Sequence, residues 1–395
     1  MSRRDQWLGI LGGGQLGRMF VLAAHTLGYR VMVLDPDAEA PAGRSADRFL
    51  CGAYDSPELL AAMAAQCAAV TLEFEGVPAA SLDWLAAHCR VTPQAASVAT
   101  AQDRSMEKKL LGEVVGVVPY ALIDDVRQIA AVPPELFPGI LKTARMGYDG
   151  RGQIRVADAG AAQAAFAALG GVPCVLEKRV SLARELSVVL ARDAGGRLAV
   201  YPVTENRHVN GILDVSIAPA QISAETARRA REAAVAVATA LDYRGVMCLE
   251  LFELDDGRLL ANEIAPRPHN SGHWTLDAAS LSQFDQQVRV LAGLPLAEPQ
   301  QLAPAVMVNL LGELWRNGTP DWNAVLADAQ TRLWLYGKVA ARAGRKMGHF
   351  TCVGGDVGAA LQRAESLRRG LQGGAGAAPA DRCGGGCSPP LAVCA

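Results

Sequence analysis

The stretch that decides the fold reads Asn262-Glu263-Ile264-Ala265-Pro266-Arg267-Pro268-His269-Asn270-Ser271-Gly272-His273, and it begins inside a predicted β-hairpin. Val246–Leu254 has the apolar, β-branched composition of a strand. Asp256-Gly257 is a tight-turn signal, and Arg258–Ile264 is the returning strand. The chain therefore leaves a predicted sheet and enters a polar segment rich in proline, histidine and asparagine.

Two acidic residues occupy this hairpin. A two-residue turn places Glu250 opposite Glu263, and a loop one residue longer places Glu250 opposite Asn262, still beside Glu263. Two carboxylates ~4 Å apart at an effective dielectric of about 20 repel by about 4 kcal/mol. Oxygen ligands without His or Cys indicate a hard cation such as Mg²⁺, usually carried with a phosphate. The alternative is a solvated strand face with two unrelated acids, although Leu249 and Leu251 indicate a buried sheet.

Length and composition define the class of protein. The chain has 395 residues, 50% of them hydrophobic, which suffices for two or three globular domains. Its formal net charge is -2 with acids and bases mixed, so bulk charge indicates neither a nucleic-acid nor a membrane partner. We find no signal-peptide pattern and no apolar window that could span a bilayer. The 9 cysteines form no CxxC pair, which favours a reducing cytoplasm without structural disulfides.

The N-terminal segment predicts a strand, a glycine loop, a helix and a second strand. The loop reads Gly12-Gly13-Gly14-Gln15-Leu16-Gly17, and Asp35 closes the next strand, which satisfies the dinucleotide-binding pattern. Such a loop brings backbone N–H groups to a phosphate or polar ligand at a helix N-terminus. A ligand contact through Gln15, NAD(P) binding and plain strand–helix packing are the three interpretations. Strands alternating with helices up to about residue 100 predict a parallel sheet covered on both faces.

The rest of the chain alternates helical and strand patterns. We expect helix Asp103–Leu111 to stop at Gly112, and Ser223 to cap a long helix. The predicted helices are Asp103–Leu111, Ala159–Leu169, Ala224–Leu241 and Leu276–Leu291. The predicted strands are Phe137–Lys142, Gly152–Val156, Cys174–Val180, Glu185–Arg192, Arg197–Thr204, Ala305–Leu310 and Arg332–Tyr336. After about residue 370 the sequence is Gly, Ala, Pro and Cys without periodicity, which indicates a disordered tail.

A second glycine loop lies between two predicted strands. It reads Lys142-Thr143-Ala144-Arg145-Met146-Gly147-Tyr148-Asp149-Gly150-Arg151-Gly152-Gln153, with glycines flanked by Lys and Arg. It lacks the GxxxxGK[ST] pattern, but such a loop can lie across phosphates and exclude water. An ordinary hairpin loop with solvated charges is the alternative. Glu177-Lys178-Arg179-Val180 could present backbone groups to an adenine edge, and Glu185 a carboxylate to a ribose diol. For these residues a surface salt bridge is equally open.

The order of these features resembles the ATP-grasp superfamily, and most closely its 5-(carboxyamino)imidazole ribonucleotide synthetase family of purine biosynthesis. The resemblance rests on Gly12–Met19 (GGGQLGRM), Thr71–Glu75 (TLEFE), Gly147–Gln153 (GYDGRGQ), Asn262–His273, Gly337-Lys338 and Lys346–His349 (KMGH). It implies an ATP-grasp fold, α/β and α+β in class, with an N-terminal parallel-sheet βαβ domain and a small C-terminal domain. The implied boundaries are 1–103, 104–298 (with lobes 104–176 and 177–298), 299–370 and a tail 371–395.

The resemblance further implies an ATP-dependent carbon–nitrogen ligase that uses Mg²⁺. For ATP it implies Arg104, Lys142, Gly147, Tyr148, Asp149, Gly150, Arg151, Gly152, Gln153, Glu177, Lys178, Arg179, Val180, Glu185, His208, Asn262 and Glu263. For the metal it implies Glu250 and Glu263. For the ribonucleotide it implies Gln15, Leu16, Glu73, Tyr148, Asp149 and Arg151, with Arg267, Lys338 and Arg345 at its phosphate. His269, Asn270 and Ser271 would line a bicarbonate pocket. Arg267, His269, Asn270 and Lys338 are the implied catalytic residues.

The implied reaction has two steps. ATP phosphorylates bicarbonate to carboxyphosphate, and the amine of aminoimidazole ribonucleotide captures the carboxyl group or released CO₂. Positioned cations suit phosphoryl transfer, and a closing loop protects an intermediate that hydrolyses in water. The resemblance implies small-molecule substrates and a homodimer. It departs at Gly76, where the family usually has Asn.

Three other functions remain open from the sequence. The first is another ATP-grasp enzyme, such as formate-dependent glycinamide ribonucleotide transformylase. The second is an NAD(P)-dependent oxidoreductase built on residues 8–35, for which we find no catalytic group placed near a nicotinamide. The third is a non-catalytic binding protein, against which the joint presence of Lys142, Glu250, Asn262, Glu263 and Arg267 argues.

Overall fold

The computed structural model describes residues 6–145, 147 and 152–373. Its N-terminal part is a parallel five-stranded sheet in the order β3-β2-β1-β4-β5. The strands are β1 (Trp7–Leu11), β2 (Arg30–Asp35), β3 (Arg48–Cys51), β4 (Ala69–Leu72) and β5 (Arg90–Val91). The helices are α1 (Gln15–Thr26), α2 (Pro57–Gln66), α3 (Ala79–Ala86) and α4 (Ala95–Gln102). The predicted parallel βαβ arrangement is therefore confirmed.

A second, smaller sheet follows helix α5 (Arg104–Val114). It is antiparallel and has the order β6-β9-β7-β8. Its elements are β6 (Tyr120–Ile123), β7 (Gly139–Thr143), β8 (Gln153–Val156), α6 (Ala159–Ala168) and β9 (Cys174–Lys178). The second glycine loop connects β7 to β8, as its sequence predicts.

The largest sheet has nine strands in the order β15-β14-β10-β12-β13-β16-β18-β17, with β11 paired to β10. Its strands are β10 (Leu182–Arg192), β11 (Leu198–Val200), β12 (Thr204–Val209), β13 (Ile212–Ala218), β14 (Gly245–Leu254), β15 (Leu259–Ala265), β16 (Ala305–Leu311), β17 (Thr331–Leu335) and β18 (Lys346–Val353). The helices are α7 (Ala224–Ala240), α8 (Thr275–Ala278), α9 (Gln283–Ala292), α10 (Asn323–Ala327) and α11 (Val357–Gly373). Because β16 pairs with β13, the last part of the chain continues this nine-stranded sheet, which is the central sheet of the protein.

The register of the hairpin β14–β15 depends on a β-bulge that the sequence does not reveal. Leu254 N–H donates to Arg258 O at 2.9 Å, so the loop 255–257 is the longer of the two alternatives. That register alone would set Glu250 opposite Asn262. A β-bulge between Glu250 and its neighbour absorbs one residue, and Glu250 stands opposite Glu263.

Helix α7 packs against the central sheet. Ala230, Ala234 and Val237 are fully buried against β10 and β14. Ser223 Oγ accepts from Thr226 N–H at 3.0 Å, which confirms the predicted cap. Within the described residues, no helix combines the length and apolar character needed to cross a membrane.

The predicted stop at Gly112 is wrong. Helix α5 continues to Val114, and the N–H of Gly116 donates to Leu111 O at 2.9 Å. One glycine inside a helix costs only about 1 kcal/mol, which packing overrides. Gly116 has φ of +102°, a left-handed conformation suited to the chain leaving a helix.

Two other predicted elements are wrong because local signals divide them. The predicted helix Leu276–Leu291 is two helices, since Ser282 forms a capping box with Asp285 and starts α9 anew. The predicted strand Arg197–Thr204 is split between β11 and β12, with Pro202 in the gap, where it lacks the N–H that a strand ladder requires.

Candidate active site

One cleft of about 1110 Å³ lies where the three sheets meet. The loop after β1, strands β7 and β8 of the small sheet, and β10, β14 and β15 of the large sheet all contribute to its walls. The structure brings most predicted site residues into it: Gln15, Leu16, Glu73, Arg104, Lys142, Gly147, Gln153, Arg179, Val180, Glu185, His208, Glu250, Asn262, Glu263, Arg267, His269, Asn270, Lys338 and Arg345. Residues more than 300 positions apart in the sequence, such as Gln15 and Arg345, therefore line the same cleft.

The carboxylate pair of the hairpin lies in this cleft and is poorly balanced by charge. Burial, and then the nearby charge of Glu263, raise the pKa of Glu250 to about 7. His269 Nε2 lies 3.2 Å from Glu250 Oε1, and Arg104 Nη1 lies 3.4 Å from Glu263 Oε2. Asn262 donates its Nδ2 to Glu250 at 3.3 Å, while its Oδ1 is buried without a hydrogen-bond partner in the described structure.

This donor set fits Mg²⁺ held together with a nucleotide. Two carboxylates face each other and an amide oxygen beside them lacks a donor, which are oxygen ligands of the kind a hard cation takes. In the described part of the chain no group of three or more His, Cys, Asp or Glu side chains gathers to hold a metal by itself. Two protein carboxylates completed by substrate phosphates and water are the arrangement typical of Mg²⁺.

Glu177 forms buried ion pairs instead of the surface salt bridge that the sequence left open. Its carboxylate lies 3.0 Å from Lys108 Nζ and 2.7 Å from Lys142 Nζ. Burial raises the pKa of Glu177, but the charges of Lys142 and Lys108 outweigh burial and lower it to about 2. Sequence reasoning missed Lys108 and its neighbour Glu107, which lines the cleft. Burial next to Glu263 raises the pKa of Glu107 to about 8.

The other predicted nucleotide contacts lie around the end of β9. The backbone N–H groups of Lys178 and Arg179 donate to Pro119 O and Pro138 O at 2.8 and 3.0 Å, which fixes the path of this segment. Glu185 Oε2 and His208 Nδ1 are 2.7 Å apart on β10 and β12. Although burial lowers it, the pKa of His208 is raised overall by the hydrogen bond and charge of Glu185.

Four predicted contacts, Tyr148, Asp149, Gly150 and Arg151, lie outside the described residues, as does the tail from residue 374. The glycines that bracket them are described. Gly147 O accepts from Arg104 Nη2 at 3.3 Å, and Gly152 O accepts from Thr143 N–H at 2.8 Å. Gly152 has φ of +70°, and a Cβ there would lie 2.6 Å from Thr143 Oγ1. Only glycine fits this anchor of the loop.

The N-terminal glycine loop uses its N–H groups inside the protein. Glu73 accepts from the N–H groups of Gly14 and Gly17, the latter at 2.6 Å, and Asp35 accepts from Gly13 N–H at 2.6 Å. A Cβ at Gly14 would collide with the Glu73 carboxylate. The donors that a dinucleotide pyrophosphate would require are therefore taken by the protein's own carboxylates, which argues against NAD(P) binding there.

Arg267 joins the central sheet to the N-terminal part through an ion pair with Glu75. Burial would lower the pKa of Arg267, but Glu75 raises it overall. Burial would raise the pKa of Glu75, but Arg267 lowers it overall. Gln102 Nε2 holds the same loop by donating to Glu75 O at 2.6 Å and Val77 O at 2.7 Å. Glu75 was part of the quoted TLEFE motif, yet its partner 192 residues away could not be inferred from sequence.

Of the predicted bicarbonate residues, His269 and Asn270 line the cleft, whereas Ser271 lies beneath its surface. Asn270 and Asn309 exchange side-chain hydrogen bonds at 3.1 and 2.6 Å, and Ser271 is fully buried. Burial, and then the charge of Arg267, lower the pKa of His269 well below its usual range. At the other end of the cleft, Lys338 Nζ donates to Lys346 O and Arg345 Nη1 to Ala340 O, both at 2.8 Å.

Three family models together cover most of the chain. One described as an ATP-grasp domain matches residues 110–284. A ribonucleotide synthetase preATP-grasp domain matches residues 6–102, and a phosphoribosylaminoimidazole carboxylase C-terminal domain matches residues 305–363. The chain is an ATP-grasp ligase with the predicted fold class.

Two similar proteins identify the family within the ATP-grasp class. An N5-carboxyaminoimidazole ribonucleotide synthase of Brucella melitensis is 47% identical over 348 residues, covering 87% of this chain and 95% of the relative. The Bacillus subtilis enzyme of the same name is 38% identical, covering 87% and 90%. The chain belongs to the N5-carboxyaminoimidazole ribonucleotide synthase family, as the resemblance predicted.

Solved structures agree. An ADP complex of an N5-carboxyaminoimidazole ribonucleotide synthetase is 38% identical, with a TM-score of 0.87 over 93% of this chain and 98% of the other. The Aspergillus clavatus synthase in complex with ADP and 5-aminoimidazole ribonucleotide is 30% identical, with a TM-score of 0.85 over 94% of this chain and 100% of the other.

Proposed function

We propose that this protein carboxylates 5-aminoimidazole ribonucleotide with ATP and bicarbonate, forming 5-(carboxyamino)imidazole ribonucleotide in de novo purine biosynthesis. The observation that carries the proposal is the half-buried, mutually repelling pair Glu250 and Glu263 in a cleft shared by three sheets. The Aspergillus clavatus relative, crystallised with ADP and 5-aminoimidazole ribonucleotide, supports the choice of substrate.

Residues of the central sheet, of helix α5 and of the small sheet would serve the ATP end. Glu250 and Glu263, with the orphaned oxygen of Asn262, would hold Mg²⁺, which when bound neutralises and orients phosphate oxygens. Arg104 and Lys142 would place positive charge on the phosphates. Phosphoryl transfer depends on such positioning more than on a nucleophilic side chain.

The same cleft would hold bicarbonate and the ribonucleotide. His269, Asn270 and Ser271 would receive bicarbonate next to the metal carboxylates. The ribonucleotide would lie toward the other end, near Gln15, Leu16 and Glu73, with its phosphate at Arg267, Lys338 and Arg345. Exclusion of water from the closed cleft would protect carboxyphosphate until the amine attacks.

The remaining predictions belong to the same proposal. We divide the chain into domains 1–103, 104–298 and 299–370, a division that the three family-model ranges support. A homodimer in the cytoplasm, working on small molecules rather than nucleic acid or membranes, rests on the family resemblance and the mixed surface charge.

The test is ADP release with Mg²⁺-ATP, bicarbonate and aminoimidazole ribonucleotide, with each component omitted in turn. Release that requires the ribonucleotide and bicarbonate supports the proposal. Release with formate and glycinamide ribonucleotide instead would assign the transformylase reaction. A change in nicotinamide absorbance would assign an oxidoreductase, and no turnover in any mixture would assign a binding protein.

A further inference from the structure

A chain of buried hydroxyl and amide groups runs beneath the cleft and ends at His269. Ser216 Oγ donates to Asn206 Oδ1, and Asn206 Nδ2 donates to Ser187 Oγ, both at 2.9 Å. Ser187 Oγ donates to Ser271 Oγ at 2.8 Å, which in turn lies 2.8 Å from His269 Nδ1. The three serines have no exposed surface, and Asn206 is 5% exposed. The chain crosses three strands of the central sheet, β13, β12 and β10.

The direction of these bonds determines which ring nitrogen of His269 carries the proton. Since Ser271 Oγ accepts from Ser187, its own proton is available for His269 Nδ1. The backbone N–H of Ser271 points to the same nitrogen at 3.3 Å. Nδ1 is therefore an acceptor and carries no proton, so the proton of the ring lies on Nε2. That nitrogen faces Glu250 Oε1 at 3.2 Å.

Packing alone does not explain these polar side chains. The strands around them bury Val188, Leu190, Leu249 and Ile217 in apolar surroundings. A fully bonded buried polar group contributes little net stability compared with an apolar one of the same shape, while a half-bonded group is destabilising. The position of this series of hydrogen bonds is also informative, because Ser187 on β10 stands directly opposite Glu250 on β14.

We propose that Ser187 and Asn206 are positioning residues, which act through Ser271 to hold His269 as an Nε2–H donor aimed at Glu250 and the cleft. The proposal rests on the function above, which places bicarbonate beside His269. Groups behind metal-binding side chains orient them in this way, and their loss typically lowers affinity or activity roughly 10- to 100-fold.

The first test reads the ring directly, in the full-length protein without substrates. Histidine labelled with ¹⁵N in the ring gives correlation spectra that distinguish the two tautomers, and the chain has only 6 histidines. Loss of one signal set in His269→Asn assigns that ring. We expect a single Nε2–H form in the wild type. In Ser187→Ala and Asn206→Leu, both ring nitrogens should shift toward the averaged positions of an imidazole that exchanges between tautomers.

The second test is steady-state ADP release by the same variants. We expect kcat to fall roughly 10-fold or more and KM for bicarbonate to rise, while KM for ATP stays within about twofold. Ser97→Ala is the matched control, because it removes a buried serine hydroxyl that donates to Leu241 O at 3.5 Å, away from the cleft. It should leave both the ring signals and the kinetics unchanged.

The outcomes separate the two proposals. Unchanged His269 signals in both variants would overturn the positioning role, even if activity fell, because the residues would then only support the sheet. Unchanged bicarbonate kinetics would overturn it as well. If the wild type shows the fixed Nε2–H form but no ADP release with aminoimidazole ribonucleotide, the function proposal fails and the positioning of His269 stands.

Discussion

Glu263→Gln should inactivate the protein and at the same time stabilise it without ligands. The pKa of Glu250 rises from 4.5, usual for glutamate, to about 7 through burial and the charge of Glu263. At about 1.4 kcal/mol per tenfold change in proton affinity, this rise corresponds to about 3 kcal/mol. The folded protein binds this proton more tightly than the unfolded chain. The free energy of unfolding therefore falls as pH rises from about 4.5 to about 7, and the deficit persists above pH 7.

The glutamine keeps the shape of the side chain and removes the repulsion. It also loses the contact of Arg104 at 3.4 Å, which offsets part of the gain. We expect a net increase of about 1 kcal/mol at pH 8, or a rise of roughly 1–2 °C in the unfolding midpoint. ADP release should fall at least about 100-fold, because the proposed metal site loses one of two carboxylates. Addition of Mg²⁺ and ADP should raise the midpoint of the wild type and not that of the variant.

Glu253→Gln provides the control. Glu253 lies on the partner strand β14, which also carries Glu250, and it is buried and paired with Arg184 at 3.0 Å. This variant should lose about 1 kcal/mol at pH 8 and keep its turnover. The reasoning is refuted if Glu263→Gln destabilises the ligand-free protein at pH 8, or if it retains more than a tenth of wild-type ADP release.

Three further substitutions have distinct outcomes. Lys108→Met leaves the buried Glu177 with one cation, and we expect denaturant unfolding to show a loss of about 3 kcal/mol. Lys142→Met retains the ion pair between Lys108 and Glu177, so stability should fall less, while KM for ATP should rise at least about 10-fold. Because the pKa of Glu177 is held at about 2, circular dichroism should show its stabilisation intact above pH 4.5 and lost as pH falls toward 2. In Gly76→Asn, the new Cβ would meet the Phe74 ring 2.6 Å from Cζ, so the ring should turn within the cleft and change KM for the ribonucleotide with little loss of stability.

Local sequence signals predicted the elements and the hairpin well, but not the events between strands. The spacing of Glu250 and Glu263 allowed two alignments, and the loop length actually favoured the wrong one. The bulge restores the facing pair, and a bulge is chosen by how the whole sheet twists and packs. The break at Ser282, in contrast, was available from the sequence, since Ser282 and Asp285 have the spacing of a capping box.

Long-range pairs were beyond sequence reasoning. Lys108 reads as one of several charges on an exposed helix face, and only the fold shows that it is fully buried against Glu177. The glycine loop after β1 fits a dinucleotide pattern equally well whether its N–H groups face a phosphate or Glu73. The spacing of its glycines along the sequence is the same in both cases. Only the structure shows that Glu73 accepts hydrogen bonds from these N–H groups.

The charges of the cleft explain why ATP and metal should arrive together. Glu75, Glu177 and Glu185 are each paired with a positively charged or histidine side chain at close range. Glu250 and Glu263 face each other, with the imidazole of His269 3.2 Å from the first and one guanidinium 3.4 Å from the second. A free divalent ion would be held there by two carboxylates and the side-chain oxygen of Asn262. Without phosphate ligands these three groups bind Mg²⁺ only weakly. In the proposed function the protein would thus neutralise these three acids with its own side chains and leave the pair to an ion that the nucleotide brings, so that the site would be complete only when ATP is bound.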